Sequence, residues 1–303
     1  MATSTVVVAR GRRLNRPEKL FIAAVLIPVL AHFLLFHALP VLFSFGLSFT
    51  NWRILKPPAW IGVQNYVRLM KDPIFWIALR NTFLFTAFFV PPMLAVPLAL
   101  AVLVNRPTAM AKFYRIVYFL PVVTSFVVFC LIFEWIFQSG PNGLANVALG
   151  KLGLHSRTWL EDRHLALPLL AMLGVLKGAA WNMVYFLAGL QGIPDTLYEA
   201  AKVDGASPWR TFWRITLPLL RPTIFFVSVL TTIGAFQVFD SAYILTGGGP
   251  AYATTTIVYF IYTAGFESFQ MGYASCSAYV LLLLILMVTW IQKRFLGKTA
   301  DWY

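Results

Sequence analysis

The sequence predicts an all-α, polytopic membrane protein with six transmembrane helices, and three observations carry that prediction. Hydrophobic residues make up 59% of the 303 positions and charged ones 12%, with a mean hydropathy of +0.75, which is far more apolar than a soluble domain. Six apolar runs, near 20–49, 75–104, 114–137, 165–190, 218–245 and 275–296, each reach the roughly 20 residues a helix needs to cross a hydrocarbon core. The net charge of +13 is scattered through the short gaps between those runs. A nucleic-acid surface needs its basic residues gathered on one soluble face, so that partner class is set aside.

Lys/Arg counting orients the spans. With the N-terminus inside, the inside segments hold fifteen basic residues and the outside segments seven, with Arg80 and Lys177 inside spans. Both termini and the loop at 191–218 then face the cytoplasm. The chain divides into a basic cytoplasmic tail at 1–19, a membrane domain at 20–296 and a cytoplasmic C-terminal tail at 297–303. The tail carries Arg10, Arg12, Arg13, Arg16 and Lys19, but the run after it is too long for a signal peptide and lacks a small-residue cleavage site.

Span 1 contains His32 and His37, whose five-residue spacing does not place them on one helical face, so a metal site is not expected. In the segment after it, Pro57 and Pro58 break helix, and Trp52, Trp60 and Tyr66 suit a membrane interface. Asp72-Pro73 is a start signal for span 2. Pro91, Pro92 and Pro97 within span 2 predict a bent helix whose freed carbonyls are satisfied by close neighbours. Glu134 lies near the end of span 3, where a carboxylate costs less than at the bilayer centre. Gly140-Pro-Asn-Gly143 marks a turn in the loop at 138–164, with Asn146 just beyond it.

Span 4 carries Lys177, Gly178, Trp181 and Asn182. A mid-span lysine costs roughly 2.5–3.5 kcal/mol, so Lys177 is expected to face an aqueous path or a partner. Lys177 and Trp181, at i and i+4, share a face. An aromatic surface beside hydrogen-bond donors suits a sugar; an ion pair with another helix is the equal alternative. Span 5 carries Thr231, Gln237 and Asp240, the last two at i and i+3, and Asp240 is a possible partner for Lys177. The later run Gly247-Gly-Gly-Pro250 lacks the Gly-Lys-Ser/Thr of a phosphate loop. Neither the four histidines nor Cys130 and Cys276 form a ligand cluster, and no carboxylate pair sits in a plausible cleft. The chain is therefore expected to hold no cofactor or metal and to catalyse nothing by itself.

Between spans 4 and 5, residues 191–218 read as two short helices and a hinge. Thr196 with Glu199 reads as a capping box, Gly205 as a C′ stop, Ser207 as an N-cap followed by Pro208 at N1, and Pro218 as the bend into span 5. Helices this short are unstable alone, and Tyr198, Trp209, Phe212 and Trp213 beside Lys202, Arg210 and Arg214 form an expected docking face.

The spacing Glu199-Ala200-Ala201, three residues, Gly205, nine residues, Ile215-Thr216-Leu217-Pro218 resembles the EAA loop of ABC-importer permeases. Trp60-Ile-Gly-Val-Gln-Asn-Tyr66, Phe119-Leu-Pro121 and Leu245-Thr-Gly-Gly-Gly-Pro250 with Thr254-Thr-Thr256 resemble stretches of the carbohydrate-uptake group of that family, the maltose and glycerol-phosphate type. The resemblance implies that 191–218 is a cytoplasmic coupling-helix loop, with Glu199, Ala200, Ala201, Asp204, Gly205, Ile215, Leu217 and Pro218 engaging an ATPase. It implies sugar contacts from spans 4 and 5, at positions including Gly178 and Trp181. It further implies a second homologous permease, two ATPase subunits that bind ATP and Mg, an extracytoplasmic solute-binding protein, and a bacterial or archaeal cytoplasmic membrane whose lipid surrounds the spans. The solute is then a sugar, oligosaccharide, polyol or glycerol phosphate. The competing reading is an ion-coupled secondary transporter with Lys177 and Asp240 as charge carriers; the inverted repeat common in such carriers is not apparent in the sequence.

Overall fold

A computed structural model describes residues 15–105 and 109–296, and among them there are helices, turns and two isolated β-bridges but no strand. Arg10, Arg12, Arg13, Arg106, Lys298 and the tail at 297–303 lie outside the described residues. Helix α1 (Arg16–Ser48) contains one wide π turn at Leu34–Ala38. The short α2 (Gln64–Lys71) precedes the long α3 (Pro73–Val104). Two limbs follow, α4 (Ala109–Val123) and α5 (Phe126–Ile136), then the short α6 (Leu144–Lys151) and the long α7 (Ala166–Gln191). The hairpin is α8 (Asp195–Val203) and α9 (Pro208–Leu219), and α10 (Arg221–Phe236), the short α11 (Ile257–Glu267) and α12 (Met271–Leu296) complete the chain.

Among the described residues, α1, α3, α7 and α12 are each long and apolar enough to cross a membrane, and the bent pairs α4–α5 and α9–α10 bring the count to six if each is one span. The most apolar stretch of α1 buries none of its residues, whereas that of α7 is 56% buried. Helix α7 is therefore the central post of the bundle. It pairs most extensively with α3, and glycines permit the approach: a Cβ on Gly174 would stand 2.9 Å from the Phe89 ring and one on Gly178 would stand 2.5 Å from Met93 Cε. Small residues at a helix seam are how membrane helices gain packing without a hydrophobic drive between them. Three apolar clusters fill the interior. One joins Phe75, Phe236, Ile257 and Tyr273, a second joins Phe85, Phe129, Leu170 and Leu173, and a third, nearest the hairpin, joins Val104, Met183, Phe186 and Leu220.

Local sequence explains most of the boundaries. Asp72 caps α3, its Oδ1 accepting from the N–H groups of Ile74 at 2.9 Å and Phe75 at 3.4 Å, with Pro73 at N1. Helix α3 then runs through Pro91, Pro92 and Pro97 without a break. Ahead of α7, Asp162 Oδ1 accepts from His164 N at 2.7 Å and Leu165 N at 3.2 Å, which holds this carboxyl below the usual carboxylate range.

Four expectations need correction. Span 1 begins at Arg16, inside the stretch assigned to the tail, because Asn15 and Glu18 form a capping box and Pro17 lies in the first turn. Span 3 is two limbs meeting at 110°, with Ser125 in an extended conformation. Span 5 stops at Phe236 and not near 245; the chain leaves helix at Gln237–Phe239 before a π turn at Ala242–Thr246. Span 6 starts earlier, at Met271, and α11 is an additional short apolar helix ahead of it.

Candidate functional site

The hairpin takes its shape from its two ends and its glycine. Helix α8 starts directly after Pro194, which is extended at φ −60°, ψ 131°, so Thr196 falls inside the first turn and the expected Thr196–Glu199 capping box does not form. The proline's fixed φ places the helix start two residues earlier, and Asp195 supplies the negative charge the helix N-terminus favours. At the other end Gly205 has φ +68°, Ala206 N donates to Ala201 O at 2.9 Å and Gly205 N to Lys202 O at 3.2 Å. These two bonds are a Schellman closure, which needs the left-handed residue that glycine supplies at low cost. Ser207 then caps α9, its Oγ accepting from Arg210 N at 3.3 Å, with Pro208 at N1.

The two faces of the hairpin differ. Ala201 and Thr216 are buried against the bundle, and Tyr198 Oη lies 3.2 Å from Thr216 Oγ1, tying the two limbs together. Ile215, Leu217 and Pro218 are half-buried along the seam. Glu199, Ala200, Asp204 and Gly205 all lie on the open side, beside Val203, Trp209 and Trp213, which are 88%, 71% and 50% exposed. The two tryptophans meet edge to face, with centroids 5.6 Å apart. Helix α9 widens into a π turn at Phe212–Thr216, and the chain bends by 66° into α10 at Leu220, two residues beyond Pro218. Such turns recur at functional sites and at helix kinks.

Inside the bundle the expected pathway residues separate into four placements. Asn182 and Thr231 come together: Asn182 Nδ2 donates to Thr231 Oγ1 at 2.9 Å and to Met93 O at 3.2 Å, joining α7, α10 and α3. Gly178 faces Met93 in the α3–α7 seam. Trp181, Gln237 and Asp240 are exposed, and among the described residues the side chains of Gln237 and Asp240 make no hydrogen bond or ion pair. The Lys177 ammonium goes elsewhere, donating to the backbone carbonyls of Pro121, Val122 and Thr124. The Lys177–Asp240 ion pair allowed by the sequence is thus not formed; the carbonyls at the break of span 3 are the nearer acceptors.

Three buried asparagines pin the end of the bundle opposite the hairpin; the sequence shows Asn146 beside a turn and Asn65 within the Trp60–Tyr66 stretch but gives neither a role, and Asn81 was missed. Asn81 Nδ2 donates to Tyr252 O at 2.7 Å and Thr255 O at 3.0 Å. Asn65 Nδ2 bridges Ser48 O and Thr50 O at 2.9 and 2.8 Å. Asn146 ties Gly140 O and Arg157 O at 2.8 and 2.9 Å while its Oδ1 accepts from Trp159 Nε1 at 2.9 Å. Each turns loop carbonyls inward, as buried backbone requires. Their signal in the sequence is an asparagine in or beside an apolar run, where a polar side chain is costly unless partnered. No group of histidine, cysteine and carboxylate side chains able to hold a metal occurs among the described residues.

Comparison with known proteins points one way. The profile of a family described as binding-protein-dependent transport system inner membrane component matches residues 93–300. The probable ABC transporter permease protein YurN of Bacillus subtilis is 38% identical over 280 residues, covering 89% of this chain and 94% of that protein. The arabinooligosaccharides transport system permease protein AraP of the same organism is 35% identical, covering 89% and 87%. The lactose transport system permease protein LacF of Rhizobium radiobacter is also 35% identical, covering 88% and 90%. Among solved structures, a chain of a bacterial alginate ABC transporter in complex with an alginate pentasaccharide-bound periplasmic protein superposes with a TM-score of 0.82 at 22% identity, covering 94% of this chain and 96% of that one. A chain of a bacterial ABC transporter involved in alginate import gives 0.80 at 25% identity, covering 92% and 97%.

Proposed function

Because the chain belongs to the family of inner membrane components of binding-protein-dependent transport systems, we propose that it forms half of the membrane pathway of an ATP-driven importer for a carbohydrate or a related polar solute. The partners in this reading are a second, homologous permease, two ATPase subunits that hold ATP and Mg, and an extracytoplasmic binding protein that delivers the solute. Both termini and the α8–α9 hairpin face the cytoplasm, in keeping with the Lys/Arg bias. The family is one of transport components, so ATP hydrolysis falls to the partner.

The observation that carries this reading is the hairpin. It is closed on itself by its own caps, packs Tyr198 on the third apolar cluster and buries Ala201, and leaves two tryptophans and the carboxylates of Glu199 and Asp204 uncovered. A surface of that kind suits insertion into a groove of another subunit, since large aromatics carry much of the energy of docked interfaces. Movement of the ATPase would be transmitted through α9 into α10, which continues it across the 66° bend. Glu199, Ala200, Asp204 and Gly205 meet the ATPase, while Ala201, Ile215, Leu217 and Pro218 hold the hairpin to the bundle. The solute pathway runs past Trp181, Gln237 and Asp240, and the Asn182–Thr231 bond fixes α7 against α10 beside it. A gradient-driven carrier has less support, because the two charges it would use, Lys177 and Asp240, are not paired.

The test is gentle extraction of the tagged protein from its native membrane, with and without ATP and vanadate, and mass spectrometry of what accompanies it. An ATPase and a second six-span chain are the expected companions. Recovery of the chain alone, or with copies of itself only, overturns the assignment.

A further inference from the structure

We propose that Lys177 is a positioning residue that caps the broken third span from a neighbouring helix, and that the acidic path left beside it selects an uncharged solute. The inference rests on the importer reading above only in its second half.

Helix α4 ends at Val123, where the last carbonyls of any helix lose their partners, and in a hydrocarbon environment they must be satisfied by other groups. The Thr124 hydroxyl donates to Leu120 O at 3.1 Å. Lys177, reaching from α7, donates to Pro121 O and Thr124 O and approaches Val122 O at 3.4 Å. An ammonium has three N–H donors, and here three carbonyls receive them. Its positive charge also sits where the negative end of the α4 dipole falls. The same ammonium lies 5.5 Å from the centroid of the Phe129 ring, on α5, within cation–π range. One side chain therefore touches both limbs of the 110° break. All its donors are engaged, and none is left to bind an anion.

The neighbouring groups are acidic. Helix α5, which carries Phe129, the buried Cys130 and Glu134, packs against the π turn at Ala242–Thr246, two residues beyond Asp240. Asp240 and Glu134 are exposed, and neither makes a hydrogen bond or ion pair among the described residues. One turn beyond Asp240, Tyr243 lines a cavity of about 550 Å³ whose walls include Glu134, Glu161 and Gln138 and no basic side chain. Carboxylates accept from sugar hydroxyls and repel phosphate or sulfonate, and tyrosine offers an apolar ring to a sugar face. The geometry suits a neutral, hydroxyl-rich solute and disfavours an anionic one.

The experiment uses the transporter purified with its partners. Alkylation of Cys130 is read by peptide mass spectrometry with no solute present, and uptake is measured with labelled lactose, an arabino-oligosaccharide and sn-glycerol 3-phosphate. Lys177→Met should raise Cys130 alkylation several-fold and lower the maximal uptake rate about tenfold while leaving the half-saturating concentration unchanged, the signature of a lost positioning contact. Lys177→Arg, which keeps charge and donors, should restore both. A neutral sugar should be carried in preference to glycerol phosphate, and Asp240→Asn should raise its half-saturating concentration. Unchanged Cys130 alkylation in Lys177→Met, with a raised half-saturating concentration, overturns the positioning role. If Lys177→Met does not accumulate in the membrane, a raised half-saturating concentration in Lys177→Arg does the same. Preferential uptake of glycerol phosphate overturns the assignment to a neutral solute. Should the wild-type complex carry no probe, the importer reading suffers, and the alkylation result still decides the role of Lys177.

Discussion

Two polar loops at opposite ends of this bundle are built on contrary plans. The loop at 246–256 is sewn into the scaffold. Thr254, Thr255 and Thr256 are buried, with their hydroxyls donating to Gly249 O at 2.7 Å, Gly248 O at 2.9 Å and Val238 O at 2.8 Å. Asn81 of α3 holds two of the loop's carbonyls, and Thr82 Oγ1 accepts from Ile257 N at 2.9 Å. The hairpin at 195–216 satisfies its backbone through its own caps and is tied side chain to side chain mainly by Tyr198 and Thr216. The difference separates a loop that braces the spans from one whose open face is free for another subunit. Substitutions in the first should cost stability, and those in the second should cost coupling.

The sharpest test of the braced end is Gly272→Ala. A Cβ there would stand 2.0 Å from Thr50 O and 3.1 Å from Leu47 O, both backbone atoms that cannot rotate aside. The expected cost is at or above the top of the ~1–3 kcal/mol range for overpacking, seen as loss of folded protein from the membrane. A wild-type thermal midpoint in detergent would show that the α1–α12 contact at this end is loose. Asn81→Ala ranks next. It orphans the buried Thr255 carbonyl, at roughly 1–3 kcal/mol, while Tyr252 O keeps its bond from Thr255 N at 3.2 Å, and it should lower the midpoint of the whole transporter, with ATPase coupling in the surviving molecules intact. Gly205→Ala is smaller, because no atom lies within 4 Å of the added methyl and only the left-handed backbone is penalised, at roughly 1–2 kcal/mol. Its effect should appear as reduced solute-stimulated ATP hydrolysis with little change in midpoint. The reverse pattern for Asn81 and Gly205 would erase the distinction between the two ends.

The parts of this arrangement that were legible in the sequence are those written in short-range signals. Hydropathy located the spans, Asp72-Pro73 and Ser207-Pro208 marked helix starts that the structure reproduces, and Gly205 marked a stop that needs positive φ. Long-range partners were not legible. The break of span 3 falls at Thr124–Ser125, three residues beyond Pro121, because Lys177 of a different helix takes up the carbonyls released there. Sequence reasoning recognised that Lys177 had to be neutralised or hydrated, but one dimension cannot say whether a carboxylate, a solute or a row of carbonyls does it. Asn81 escaped notice for the same reason, since its acceptors lie more than 170 positions away. The early end of span 5 reflects a similar limit. Residues 237–245 remain apolar enough to extend the run, yet the α10 helix ends where Thr256 reaches in to bond Val238 O.

The smallest expected effect on stability, and the most discriminating for the hairpin, is that of Trp209→Ala combined with Trp213→Ala. Both rings are at least half exposed and contact chiefly each other and Phe212, so truncating them leaves no cavity in the bundle. Exposed substitutions of this kind usually fall within about 0.5 kcal/mol of wild type, and the thermal midpoint should scarcely move. If the rings sit in a groove of the ATPase, their removal takes away the sort of aromatic anchor whose truncation costs about 2 kcal/mol or more in a docked interface. The double variant should therefore reach the membrane in normal amount, lose the ATPase during purification, and show depressed uptake. Retention of the ATPase at wild-type levels would mean that the rings face lipid headgroups instead, and that the open side of the hairpin engages its partner through Glu199 and Asp204 alone.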